Sequence, residues 1–178
     1  MARLTLVDAD AGVATALAAA FADVAEVEVL HADIVSVARG AVVSPANGYG
    51  YMDGGVDARY SEFFGPSLEL RVQDAIARAG GPPLPIGAAL VVETRHAAVP
   101  WLVVAPTMIL PETVDATHAY RAARALFRRM TSDVERLRDV FCPAMATGVG
   151  GVAPAEAARA MRRALGDALA AGLTIERA

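Results

Sequence analysis

The sequence predicts a three-layer α/β/α sandwich, a sheet buried on both faces with helices on either side. Three observations predict it. Short apolar, β-branched runs alternate with alanine-rich or amphipathic helical segments along the chain. Two glycine-rich loops each follow a strand and precede a helix. At 178 residues, 55% of them hydrophobic and with no internal repeat, the chain fits one core, so residues 1–178 are expected to form a single domain.

"RLTLV" (Arg3 to Val7) reads as a short buried strand, and "DADAGVATALAAAF" opens with helix-capping aspartates and continues as an alanine-rich helix. "EVEVLHAD" alternates from Glu26 toward Asp33 as a half-buried strand, and "GAVVS" (Gly40 to Ser44) is a short apolar strand. The first glycine loop, "SPANGYGYMDGGVD", follows directly. Helical spacing returns in "VDARYSEFF", stops at Gly65 and Pro66, and resumes in "SLELRVQDAIARA". "IGAALVVET" and "WLVVA" are two strands close enough to pair through the connection Arg95 to Pro100. "ATHAYRAARALFRRM" places Tyr120, Ala123, Phe127 and Met130 on one helical face, and "SDVE" (Ser132 to Glu135) has the form of a capping box opening a further short helix. "VFCPAM" is a brief strand and "ATGVGGVA" the second glycine loop. The last helix has Pro154 at its start and Gly172 past its end.

Composition excludes several chemistries. All sixteen basic residues are arginine, which removes lysine Schiff bases, a lysine base and a P-loop. One cysteine, Cys142, allows neither an intrachain disulfide nor a multi-thiolate zinc site, and His31, His96 and His118 lack metal-ligand spacing, so no metal or cofactor is expected. A net charge of -4 argues against a broad nucleic-acid-binding surface. No apolar run is long enough to span a bilayer and no basic leader follows Met1, so a cytoplasmic protein without membrane partners is expected.

Strand-to-helix glycine loops present backbone N–H groups that hold phosphate oxygens even in an acidic protein, and two such loops at the carboxyl ends of strands suit a diphosphate. Tight turns are the competing reading. Neither loop has the dinucleotide-binding spacing of glycines. Asn47 has the donors and acceptor to orient a sugar hydroxyl or a water, or to close an Asx-turn. Asp57 has the chemistry to handle a proton or a water, or to complement a helix dipole. Asp33 is placed to accept an exocyclic amine or to cap a helix before "IVSV".

The ordered landmarks "HADI", "VVSPAN", "GGVD" and "ATGVGGVAPAEAA" resemble a macrodomain, the ADP-ribose-binding module, over roughly Val27 to Ala171; the first strand and helix look like an extension found in some bacterial and phage-associated members. The resemblance implies a central mixed, largely parallel sheet, with ADP-ribose or an ADP-ribosylated substrate as partner. It implies that Asp33 and Ile34 hold adenine, that Gly54, Gly55 and Val56 line one phosphate loop, and that Thr147, Gly148, Val149, Gly150 and Gly151 line the other. Asn47 and Asp57 would then be the catalytic pair at the distal ribose of a hydrolase acting on mono-ADP-ribosylated protein, at acidic side chains, or on O-acetyl-ADP-ribose. A non-catalytic reader and an ADP-ribose 1''-phosphate phosphatase are the alternatives. Two departures bear on substrate: Ser44 stands where relatives carry an asparagine, and Gly150 where many carry Phe or Tyr beside the distal ribose. Tyr49 or Tyr51 is placed to supply the missing ring.

Overall fold

The computed structural model describes residues 1–177. Its elements run β1 (Arg3–Asp8), α1 (Ala11–Ala20), β2 (Val27–His31), α2 (Ile34–Val37), β3 (Ala41–Ser44), α3 (Gly55–Phe64), α4 (Ser67–Arg78), β4 (Leu90–Glu93), β5 (Trp101–Val104), α5 (Ala116–Ser132), β6 (Asp139–Cys142) and α6 (Pro154–Ala170). The six strands form one sheet in the order β2-β1-β6-β3-β5-β4. All neighbouring pairs are parallel except the antiparallel β4–β5 hairpin at one edge.

Alternation along the strands builds the three layers. Leu4 and Leu6, Ala41 and Val43, and Val140 and Cys142 face one core with α1, α5 and α6; Val7, Val42, Leu102, Val104 and Phe141 face a second core with α2, α3 and α4. Small side chains let the first helical layer lie close to the sheet: Ala119, Ala122, Ala123, Ala157, Ala158 and Ala164 are all fully buried. Cys142 belongs to this interior, and burial pushes its thiol well above the usual range, which leaves it unreactive.

Two sequence expectations need correction. "SDVE" opens no helix, because Ser132 is the last residue of α5 and its hydroxyl donates back to the Arg129 carbonyl. Asp133 instead pairs with Arg129 and Arg136, and the short link to β6 is a turn in which Leu137 N–H donates to the Asp133 carbonyl. The strand read as running toward Asp33 ends at His31, and Asp33 caps α2 with its carboxylate on the Val35 N–H.

One buried contact sets the height of α3 over the sheet. Tyr60 is fully buried and its hydroxyl donates to the Val43 carbonyl in β3 at 3.0 Å. Asp57 lies three residues earlier, on the same helical face, so this bond also turns Asp57 inward. Tyr60→Phe is expected to lower the free energy of unfolding by about 1–2 kcal/mol, because it strands a buried carbonyl oxygen. Urea unfolding of the variant at unchanged slope measures this; a midpoint equal to that of the unsubstituted protein would show that the bond is unimportant.

Candidate functional site

Strand order places the site. From β1 the chain moves to β2 on one side, then crosses to β3 on the far side of β6, so strand connections diverge around β1, β6 and β3. Crevices form at the carboxyl ends of strands at such a point. A cleft of about 520 Å³ opens there, with Asp33, Ile34 and Asp8 near the ends of β2 and β1, Pro143, Ala144 and residues 146–150 after β6, Asn47 after β3, and Thr107, Met108 and Pro111 after β5. Four strand intervals of about 4.8 Å make the row roughly 19 Å long, which suits an extended dinucleotide-sized ligand better than a compact one.

The β3–β5 ladder continues beyond the strands. Ala105 N–H donates to the Ser44 carbonyl, Thr107 N–H to Ala46, and Gly48 N–H to Ile109, with a bridge between Asn47 and Met108. Asn47 is therefore set by sheet geometry. Its side chain closes the turn that follows: Oδ1 accepts from the N–H groups of Tyr49 and Tyr51 at 3.1 and 3.2 Å, and Nδ2 donates to the Tyr51 carbonyl at 2.9 Å. With both lone pairs of Oδ1 taken, Asn47 keeps one amide N–H for a ligand and acts toward it only as a donor.

Asp57 is in the first turn of α3, 7% exposed, and its Oδ1 is buried without a hydrogen-bond partner. Burial pushes its carboxyl from the ordinary 3.8 up to about 7, which the nearby Ser44 hydroxyl only partly offsets. Gly54 caps this helix without a side chain, so the first N–H groups of α3 face the cleft free of a capping oxygen. In the second loop Gly151 N–H donates to the Gly148 carbonyl and Val152 N–H to the Ala146 carbonyl; among the described residues the N–H groups of Gly148, Val149 and Gly150 take no backbone acceptor. Ala146, held at a φ of 64°, starts this turn in a conformation that disfavours a side chain.

Asn47, Asp57, Asp33, Ile34, Gly54, Gly55, Val56 and Thr147 through Gly150 all line the cleft. Gly151 does not: at a φ of 66° it bends the loop from behind. Tyr51 lines the cleft and is 45% exposed, whereas Tyr49 stacks on it from outside the lining, with ring centroids 6.0 Å apart and planes 11° apart. Asp33 has two engagements: Oδ1 accepts from Val35 N–H, and Oδ2 accepts from Arg59 Nε at 3.0 Å and Nη2 at 2.8 Å. The helix-cap role is thus compatible with a carboxylate facing the cleft.

Sequence reasoning missed Asp8 and Arg59. Asp8 was read with the helix-capping aspartates, yet its carboxylate accepts from Asp10 N–H at 3.0 Å and Ala144 N–H at 3.3 Å, tying the end of β1 to the segment after β6. Its place at the end of a central strand was the available signal. No spacing rule connects Arg59 with Asp33, because their partnership depends on how α3 crosses α2.

Gly150 is enclosed. A Cβ there would lie 2.7 Å from the Ala146 carbonyl oxygen and 3.0 Å from Val114 Cγ2, so the position leaves no room for an aromatic side chain. Gly150→Ala is expected to destabilise the fold by about 1–3 kcal/mol in chemical denaturation, and a neutral result would show a loop free to relax. Asp57 makes a second, pH-dependent prediction. Its folded value lies above its unfolded one, so its favourable contribution is complete below about pH 4 and lost as pH rises through 7. Asp57→Asn should therefore be more stable than the unsubstituted protein at pH 8, by on the order of 4 kcal/mol at most, with the gap closing below pH 4. Parallel denaturation at the two pH values measures it; a gap independent of pH would contradict the elevated value.

Comparison with known proteins places this geometry. The Macro domain family model matches residues 43–161. An uncharacterised protein of Aquifex aeolicus (strain VF5) is 32% identical over 136 residues, 76% of this chain and 78% of that protein. The macrodomain of Mycobacterium tuberculosis DarG superposes with a TM-score of 0.65 at 18% identity, covering 82% of this chain and 91% of that one. Thermosipho africanus DarTG in complex with ADP-ribose gives 0.60 at 18% identity over 72% of this chain and 35% of that one. At these identities the structural likeness is one of fold. The family match spans more than half of the sequence, and the chain belongs to the Macro domain family.

Proposed function

We propose that this single-domain chain binds ADP-ribose along the cleft and hydrolyses adducts carried on its distal ribose. The observation that carries the binding is the pair of N–H-rich loops in one cleft, α3 opening at Gly54 and Gly55 and the second loop at Gly148 and Val149. A macrodomain structure of the same fold, that of Thermosipho africanus DarTG, holds ADP-ribose. In this reading adenine lies at the β2 end beside Asp33 and Ile34, the diphosphate lies between the loops, and the distal ribose meets Asn47 and Asp57.

The observation that favours turnover over passive reading is Asp57, a carboxyl buried beside the cleft with an unpartnered oxygen and a proton affinity tuned near neutrality. Hydrolysis of an adduct on the anomeric carbon adds a water oxygen to that carbon as its bond to the leaving group breaks and the electron pair departs with the leaving group. For the ring-hydroxyl ester of O-acetyl-ADP-ribose the same water adds to the acyl carbon, and the ribose oxygen leaves with the electron pair and takes up a proton. The water proton passes to Asp57, which must be ionised to accept it. Asn47, with its one free N–H, orients the ribose by donating to a hydroxyl oxygen. Membrane attachment has no support in the helices: among the described residues none is long and apolar enough to cross a bilayer.

Calorimetric titration with ADP-ribose tests binding, and turnover of mono-ADP-ribosylated protein and O-acetyl-ADP-ribose tests hydrolysis. Expected are binding, turnover with kcat/KM rising as pH passes through about 7, and loss of at least a hundredfold in kcat for Asp57→Asn. Binding without turnover of any adduct leaves a reader; absence of ADP-ribose binding removes both readings. Asp33→Ala should weaken ADP-ribose about tenfold while leaving ribose 5-phosphate unaffected, and equal losses for both ligands would move the base elsewhere.

A further inference from the structure

The end of the cleft beyond Asn47 has a chemical character that the binding of ADP-ribose does not use. Met52 is buried, with its N–H on Glu69 at 2.8 Å and its carbonyl accepting from the Ser61 hydroxyl at 3.0 Å. Its neighbours Tyr51 and Asp53 are both exposed, and both line the cleft. The Asn47 amide holds the Tyr51 backbone at both its N–H and its carbonyl. Among the described residues Asp53 has no ion-pair partner, and Asp57 nearby is more than nine-tenths buried with Oδ1 aimed at no donor.

Charge around the cleft is one-sided. Its lining carries four carboxylates, Asp8, Asp33, Asp53 and Asp57, against one guanidinium, Arg59. Asp8 is committed to two backbone N–H groups, and Arg59 is committed to Asp33 and Glu62. Among the described residues of the lining no cation is left to meet an anion on the distal ribose, and a phosphate there would face Asp53 and Asp57. A cation placed there would have the opposite experience, with an exposed aromatic face on one side and a free carboxylate on the other.

We propose that Tyr51 and Asp53 form an aglycone subsite that takes a guanidinium linked to the distal ribose, and that ADP-ribosyl-arginine is the substrate class this cleft prefers. The proposal rests on the ligand orientation given under the proposed function. A guanidinium is flat enough to lie on the Tyr51 ring and forked enough to engage the Asp53 carboxylate, which an ammonium matches less well.

The test is titration of the protein with four ligands: ADP-ribose, ADP-ribosyl-arginine, neutral O-acetyl-ADP-ribose, and ADP-ribose 1''-phosphate. Expected is about tenfold tighter binding of the guanidinium adduct than of ADP-ribose, no such gain for the acetyl adduct, and weaker binding of the phosphate. The ratio between guanidinium adduct and ADP-ribose should collapse toward one in Tyr51→Ala combined with Asp53→Asn, persist in Tyr51→Phe, and shrink in high salt. Equal affinities for the first two ligands, an equal gain from the acetyl group, or a preference that survives the double substitution would overturn the subsite. Failure of ADP-ribose itself to bind would instead overturn the proposed function, so the two failures are distinguishable.

Discussion

The β3–β5 ladder outlasts its strands, and the geometry of the cleft depends on that. Strand pairing ends nominally at Ser44 and Val104, but backbone bonds continue to Gly48 and Ile109 and carry Asn47 with them. Thr107 reinforces the join, its hydroxyl donating to the Pro45 carbonyl, while His118 Nδ1–H donates to the Thr107 carbonyl and ties α5 to the same point. A side chain mounted on sheet rather than on free loop is held by several cooperative bonds at once. The loop that follows can then be glycine-rich without being loose, because its first residue is fixed and Met52 pins its middle between α3 and α4.

This rigidity reconciles an acidic lining with an anionic ligand. Under the proposed function, phosphate binding in the cleft would draw on dipoles rather than on net charge: the N–H groups at the start of α3 and those of the second loop supply partial positive charge over a short range. Carboxylates elsewhere in the cleft are then free for other work. Burial of Asp57 belongs to the same design. Its partner-poor position costs stability at neutral pH, and that cost is the usual accompaniment of a group held ready to exchange a proton.

Much of the fold was legible in the sequence because the strands are short apolar runs, with β3 bounded by Gly40 and Pro45, β5 opened by Pro100 and β6 closed by Pro143, and because α6 carries both its start and stop signals. The failure at Ser132 came from a capping pattern read without its length constraint, since too few residues separate it from β6 to make a helix useful. The cleft was legible in part. "GGVD" marks a helix opening without a cap, whereas Gly48 and Gly50 looked the same and serve packing: a Cβ at Gly48 would meet the Leu84 carbonyl, and one at Gly50 the side chains of Val72 and Ile76, each at 2.9 Å. Which glycine faces a ligand and which faces a neighbour depends on the packing of α4, and a linear sequence does not display that. Asp33 shows the same limit from the other side, since a residue read as either a cap or a ligand contact caps α2 and faces the cleft at once.

The enclosure of Gly150 also bears on how this cleft could change over generations. An aromatic residue at that position is blocked by the Ala146 carbonyl and by Val114, which itself donates its N–H to the Gly150 carbonyl. Acquiring the ring requires the 146–152 turn to rewind and residue 114 to shrink together with the substitution at 150, and such coupled changes are strongly non-additive. Single steps pass through destabilised intermediates. A small barrier in sequence space thereby surrounds position 150, and change in the cleft lining is channelled to Tyr51, Asp53 and the exposed Val149, where side chains can change one at a time.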